Sequence, residues 1–327
     1  MSSMGSDKPH HSTHSLIPPQ MFLAGPTAVG KSEVALLLAE KLGGEIVTVD
    51  SMQVYRGLDI GTAKPDAAER SRVPHHLLDV VELNEPFDAA KFVALCREAV
   101  RQIQARGRVP ILCGGTGFYF KALLDGLGEA PASDQTVRAE LEAMPLPELL
   151  RELAERDPVA FERIDRQNPR RLIRALEVIR LTGKPYSAQR ADWSDRKPSP
   201  VTSHSPHTSS ILTLSRSNAE LRTRIDKRVD RMFAQGLVAE TQLLIERGLA
   251  QNQTAMQAIG YRQVVEHLRG ERSLGETIAL VKIRTRQFAK RQMTWFRRQL
   301  PVKWLEVHAE EPAAEIAARV VAMNSDQ

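Results

Sequence analysis

The sequence predicts an α/β fold: a parallel-sheet core, interrupted by an all-helical insertion and followed by a mostly helical C-terminal part. Three observations predict it. Short apolar runs of strand length alternate with helix-period segments early in the chain, the rhythm of strand–helix–strand units. That strand signal vanishes between Glu129 and Trp193 and returns at Ile211. The 327 residues also exceed one average domain of about 150, which leaves room for a core and a sizeable insertion. Hydrophobic residues at 42% and charged residues at 26% exclude disordered and collagen-like chains.

Residues 1–19 read as a disordered leader, polar and holding His10, His11, His14 and a Pro18-Pro19 stop. It has no apolar stretch of the kind a secretory signal needs. Met21–Ala24 reads as a buried strand, and a glycine-rich turn leads from it into a helical pattern at Lys31–Leu42, closed by Gly43-Gly44. Glu45–Val49 is a β-branched strand ending on Asp50, and Val109–Cys113 is another, ending at Gly114-Gly115. Amphipathic helices follow at Arg138–Met144, Pro147–Glu155, Pro158–Asp165 and Arg170–Leu181, then a Ser/Pro/His loop at Ser194–Ser209. Ile211–Leu214 restores a strand. Helices prevail from Ala219, with a short strand at Trp304–Val307 and a closing helix near Pro312–Met323. The expected division is a core over 20–127 and 206–327, with the insertion at 128–205.

Apolar runs such as Val34–Ala39 fall far short of the roughly 20 residues that span a bilayer. Cys96 and Cys113 cannot build a disulfide framework or a four-ligand zinc site, so they read as buried small hydrophobes in a reducing cytoplasm. No hydrophobic dimer stripe stands out, and no protein partner is evident; a monomer is expected.

Net charge is +5, and 33 of the 45 basic residues are arginine, whose planar fork suits phosphate and base contacts. Two stretches concentrate them. Thr277–Leu305 holds eight basic residues and no Asp or Glu, and Arg163–Arg190 is similarly rich. A polyanionic partner explains both, and so does a pair of solvated helix faces; charge alone leaves the two open.

Gly25-Pro26-Thr27-Ala28-Val29-Gly30-Lys31-Ser32 fits G-x-x-x-x-G-K-[ST], directly after a strand and opening a helix. The core is therefore P-loop NTPase-like. Glycines let backbone N–H groups curl around phosphate oxygens, and the helix N-terminus adds its positive end. Lys31 neutralises phosphate charge, and the Ser32 hydroxyl is placed to hold Mg²⁺. Such a loop grips a diphosphate equally well in an ATP-using kinase, a switch GTPase or a transferase. Val109–Cys113 ends in Gly-Gly-Thr and supplies no metal-binding acid, whereas Asp50 closes its strand as either a metal-binding acid or a base facing a second substrate. The absence of an Asn/Thr-Lys-x-Asp run disfavours a GTPase.

Eight segments in order resemble the bacterial tRNA dimethylallyltransferase family. They are Gly25–Ser32, Asp50–Tyr55 (DSMQVY), Asp59–Pro65 (DIGTAKP), Pro74–Leu77, Gly114–Gly117 (GGTG), Arg171–Glu177, Gly260–Gln263 and Lys290–Phe296 (KRQMTWF). The resemblance implies transfer of a dimethylallyl group from dimethylallyl diphosphate to N6 of the adenosine 3′ of the anticodon, with release of diphosphate. It implies Asp50 as general base, Thr27 as hydrogen-bond donor to the oxygen bridging carbon and phosphorus, and Arg228 as diphosphate ligand. It places RNA contacts at Asp50, Ser51, Met52 and Gln53, at Thr116 and Arg138, and at Gln167, Asn168, Pro169, Arg170 and Arg171. Further contacts are implied at Gln257, Ala258, Ile259, Gly260, Tyr261 and Arg262, and at Lys290, Arg291, Gln292, Met293, Thr294, Trp295, Phe296 and Arg297. On a helix through 284–298, Arg284, Arg291 and Arg298 form one stripe and Arg286, Lys290 and Arg297 a neighbouring one. Trp295 and Phe296 lie among them, and at least one is expected in the core. The alternatives are a small-molecule P-loop kinase, a prenyltransferase of free adenine nucleotides, and an RNA-binding module whose loop senses nucleotide.

Overall fold

The computed structural model describes residues 20–128, 130–189 and 211–325; the expected leader at 1–19 and the Ser194–Ser209 loop lie outside them. The elements are β1 (Met21–Ala24), α1 (Lys31–Leu42), β2 (Gly44–Val49), α2 (Ala67–Arg72), β3 (His75–His76), α3 (Ala89–Ala105), β4 (Val109–Gly114) and α4 (Gly117–Asp125). The insertion contributes α5 (Gln135–Glu142), α6 (Leu146–Arg156), α7 (Pro158–Arg163), α8 (Pro169–Thr182) and α9 (Tyr186–Gln189). The chain then forms β5 (Ile211–Ser215), α10 (Asn218–Ala234), α11 (Leu237–Glu246), α12 (Tyr261–Leu268), α13 (Leu274–Gln299), β6 (Val302–Glu306) and α14 (Ala313–Ser325).

Every named strand joins one parallel sheet in the order β3-β2-β4-β1-β5-β6. Because the strands run the same way, the loops after β1, β2, β4 and β5 leave from one edge. There Gly25, Asp50, Gly115 and Arg216 begin their loops. β4 sits between β1 and β2, so the connections part at that point and open a crevice beyond the strand ends. The expected strands and helices all form; β1 and α1 keep the expected ends, and no other end shifts by more than three residues.

Strand side chains alternate between two cores, as a sheet covered on both faces requires. Phe22, Val47, Val49 and Leu112 join α3, α4 and the aromatic rings of α13, whereas Leu23, Ile46, Ile111, Cys113 and Leu214 pack with α1, α10 and α14. A third cluster built from Leu141, Leu149, Leu153, Leu172 and Leu176 lies wholly within the insertion. Burying its own core lets that segment hold its shape beside the sheet. Cys96 and Cys113 are free and buried, and burial pushes their thiols up to about 12 and about 11. Among the described residues no helix is long and apolar enough to cross a membrane.

Candidate active site

The loop after β1 is held by side chains from distant parts of the chain. Arg224 donates from Nε to the Ala28 carbonyl at 2.8 Å, and Arg216 donates from Nε to the Val29 carbonyl at 3.0 Å. A trans peptide sets its N–H opposite its C=O, so the N–H groups of Val29 and Gly30 point away from the two guanidiniums. Ala28 sits in the left-handed region at φ +63°, and Gly30 at φ +109°. Positive φ at these two positions, on either side of Val29, curls the backbone N–H groups into a concave nest that cradles an anion. Lys31 Nζ donates to the Pro26 carbonyl at 2.7 Å. Burial pulls the Lys31 ammonium down to about 8; the nearby Arg228 cation adds to the shift, and Cys113 and Asp50 oppose it.

Arg224, Lys227, Arg228 and Arg231 share one face of α10 at helical spacing. They border a cavity of about 960 Å³ together with Lys31 and Ser32. A second cavity, of about 390 Å³, is bordered by Thr27, Lys31, Ser32, Asp50, Gln53, Thr116 and Arg228, and also by Gln257, Ile259 and Arg291. Lys31, Ser32 and Arg228 border both. The two hollows therefore meet at the phosphate loop, and Asp50 lies on one side only. Burial pulls the Arg228 guanidinium below its ordinary value, with Asp50 opposing and Arg231 adding.

Asp50 ends β2 in a turn of its own making: Oδ1 accepts from the N–H groups of Met52 at 2.8 Å and Gln53 at 3.2 Å. The next N–H, of Ser51, donates to Thr116 Oγ1 at 3.2 Å, which ties the turn to the end of β4. Gln53 Nε2 and Arg228 Nη2 both donate to the Thr62 carbonyl, at 3.1 and 3.3 Å. The loop carrying Thr62 is pinned in turn. Lys64, buried, donates to Asp59, Asp79 and the Tyr55 carbonyl. Glu240 accepts from the Ile60 N–H and the Tyr261 hydroxyl, while that hydroxyl accepts from the Gly61 N–H.

The model of the IPP transferase family matches residues 53–299. The chain is 47% identical over 292 residues to a tRNA dimethylallyltransferase of Trichlorobacter lovleyi, covering 88% of this chain and 93% of the relative. It belongs to this family. Among solved structures it is similar to the tRNA isopentenylpyrophosphate transferase of Bacillus halodurans. The two are 37% identical with a TM-score of 0.66, over 95% of this chain and 97% of that one. It is also similar to a eukaryotic dimethylallyltransferase seen acting on tRNA, 28% identical with a TM-score of 0.79, over 94% of this chain and 79% of that one.

In this transferase the expected catalytic trio, Thr27, Asp50 and Arg228, borders one cavity. Ser51, Met52, Gln53, Thr116, Gln257, Ile259 and Arg291 border it too. Two expected RNA contacts are corrected: Tyr261 and Phe296 are buried and do not border the cavity, so their side chains do scaffold work, whereas Ala258 and Gln292, though largely buried, border it. Tyr261 anchors the loop at Gly61, and Phe296 packs against Phe120 and Trp295. Gln292 bridges two loops of the site. Trp295 is half-buried over Gly117, where a Cβ would lie 2.1 Å from its ring. Arg138 and Arg170, away from the cavity, donate to Glu177 and to the Gln253 carbonyl. Gln167, Pro169 and Arg171 are exposed on the insertion, as are Lys290, Thr294 and Arg297 on α13; Asn168 and Met293 are half-buried. Arg262 is exposed but paired with Glu266, and Gly260 is buried. The Arg286 stripe is also corrected: Arg286 makes a two-pronged pair with Asp226 on α10.

Sequence reasoning missed Arg216, Arg224, Glu240 and Lys64 as holders of the site. Arg224 carried a signal, one helical turn before Arg228. Lys64 carried one too, inside the DIGTAKP segment five residues after its partner Asp59, whereas Glu240 carried none, because the Ile60 N–H it accepts from lies 180 residues away.

Proposed function

We propose that this protein transfers the dimethylallyl group of dimethylallyl diphosphate to N6 of the adenosine 3′ of the anticodon in tRNA, releasing diphosphate, as a cytoplasmic monomer. The observation that carries the reading is the shared cavity: Asp50 borders the same space as the phosphate-loop residues Thr27, Lys31 and Ser32 and the α10 residue Arg228, and does not border the hollow lined by Arg224, Lys227 and Arg231. The diphosphate seats on the loop, with Lys31 and Arg228 taking up its charge. The acceptor base, swung out of its loop, enters past Gln257 and Arg291. As the C–O bond breaks, its electron pair leaves with the diphosphate, and the Thr27 hydroxyl donates to the bridging oxygen. The allylic carbon bonds to N6, whose proton passes to the Asp50 carboxylate. Stabilising the leaving charge and aligning the partners supply more of the rate than the base does.

Ser32 fits a role as Mg²⁺ ligand. It is exposed on the first turn of α1 beside Lys31 and borders both cavities, offering one hard oxygen to an ion that takes its other ligands from phosphate and water. When bound, the ion adds charge neutralisation at the diphosphate. The insertion, over 128–205, serves as an arm toward the anticodon stem, with Gln167, Pro169, Arg170 and Arg171 exposed on it.

The test offers the protein labelled dimethylallyl diphosphate, ATP, AMP and unmodified tRNA together. Prenylated tRNA is expected as the sole product, and Asp50→Ala should lose transfer while still binding diphosphate. A phosphorylated product assigns a kinase, and prenylated AMP assigns a transferase of free nucleotides. Near-normal transfer by Asp50→Ala removes the base.

A further inference from the structure

We propose that Gln292 is a positioning residue for the transfer, a buried amide that sets the spacing between the leaving-group loop and the turn that holds the acceptor base. The inference rests on the transferase reading above. Gln292 projects from α13 and is only 8% exposed. Its Oε1 accepts from the Thr27 N–H at 2.9 Å, and its Nε2 donates to the Gly115 carbonyl at 2.9 Å. Thr27 lies in the phosphate loop. Gly115 precedes Thr116, whose hydroxyl accepts from Ser51, the neighbour of Asp50. One side chain thus joins loops that leave different strands, at the wall of the cavity that Thr27 and Asp50 border.

Position 115 is built around this amide: a Cβ there would lie 2.4 Å from Gln292 Nε2. Filling the site with Met would keep the volume without burying an amide, so the polar choice is not needed for packing. Its worth lies in where it fixes the loops. Displacement at the allylic carbon requires N6 and the departing oxygen on opposite sides, with the attacking atom about 3–3.5 Å away, and a misplacement of about 1 Å costs on the order of a hundredfold. Gln292 touches neither reacting atom; it acts through the loops that do.

The experiment compares full-length wild type, Gln292→Met and Gln292→Glu. It measures kcat, KM for dimethylallyl diphosphate, KM for tRNA, and melting temperature, with kcat followed across pH. Gln292→Met is expected to lower kcat by about tenfold to a hundredfold, with both KM values within twofold. In Gln292→Glu the carboxylic acid donates to the Gly115 carbonyl only while protonated. Its kcat relative to wild type therefore rises as pH falls, whereas the Gln292→Met ratio stays flat. If Gln292→Met fails to fold, the Gln292→Glu pH profile decides alone. A raised KM for tRNA with unchanged kcat makes Gln292 an RNA contact and overturns the proposal. A lowered melting temperature with unchanged kcat makes it a packing residue and overturns it equally. An inactive wild type overturns the transferase reading itself, and the inference with it.

Discussion

The insertion and α13 carry arginine at similar density but use it differently. In the insertion, Arg174 donates to Glu177 at 2.8 Å and to the Pro131 carbonyl at 2.6 Å, and Arg138 joins the same carboxylate. Arg180 pairs with Glu152, and Arg166 with Glu162. On α13 only the inward pair is committed, Lys282 to Asp230 and Arg286 to Asp226. Arg284, Lys290, Arg291, Arg297 and Arg298 are exposed, and none forms an ion pair among the described residues. Arginine pairs with acids inside the insertion, whereas on α13 these cations have no acid partner among the described residues, and Arg291 and Arg297 lie instead over the Phe288 and Trp304 rings. What separates the two is where the acids sit: the insertion supplies its own, and Thr277–Leu305 has none.

Glu177 offers the largest break in this contrast. It is fully buried and also accepts from the Ser133 hydroxyl and the Asp134 N–H, so it stitches the start of the insertion to α8. Glu177→Ala leaves two guanidiniums facing a void, and loss of one partner of a buried pair costs about 3–5 kcal/mol. Denaturant melting is the check. A wild-type midpoint would mean that these arginines are not structural.

Acid reaches the same contact without mutation. Burial works against the Glu177 charge, but Ser133, Arg174 and Arg138 outweigh it and hold the carboxyl below the ordinary range. A depressed folded pKa gives stability that is present above the unfolded value of about 4.3 and lost as pH falls through the folded one. The difference in midpoint between wild type and Glu177→Ala should therefore shrink below about pH 4.3. The arginines of α13 keep their charge throughout.

How far the sequence was legible follows from the same distinction. The phosphate loop could be read because its physics is local: glycines, a lysine and a hydroxyl within eight positions of a strand end. The arrangement β1–α1–β2 and the helical insertion followed from periodicity. α3 was not singled out, although Phe92, Cys96, Val100 and Ile103 recur at helical spacing behind an Asp88 cap. The two-residue strand β3 is too short to show any period. Gln292 and Tyr261 entered as RNA contacts through the family resemblance, and nothing in their own stretches of sequence shows the loops they hold, which lie 177 and 200 residues away.

Arg291 gives a smaller effect that sharpens the contrast. It is exposed and borders the Asp50 cavity. If it neutralises one RNA phosphate, Arg291→Ala lowers the slope of log affinity against log salt by roughly 0.7–0.9. Arg180→Ala should leave that slope unchanged, since its guanidinium is spent on Glu152. Titrations of labelled tRNA at several salt concentrations separate the two. An unchanged slope for Arg291→Ala would assign that side chain elsewhere.

Arg166 should show the smallest effect. It pairs with Glu162 one helical turn back and lies 4.2 Å from the Phe161 ring, on a surface where both charged groups are largely open to water. Exposed pairs and cation–ring contacts of this kind contribute about 0.5–1 kcal/mol at most. Arg166→Ala should therefore shift the melting midpoint only slightly and leave the salt slope for tRNA where it was, although Arg166 directly precedes the exposed residues Gln167, Pro169, Arg170 and Arg171. A slope that falls as far as it does for Arg291→Ala would mean that pairing with an acid does not keep an arginine from RNA. The acid map would then no longer tell scaffold from contact in either helix.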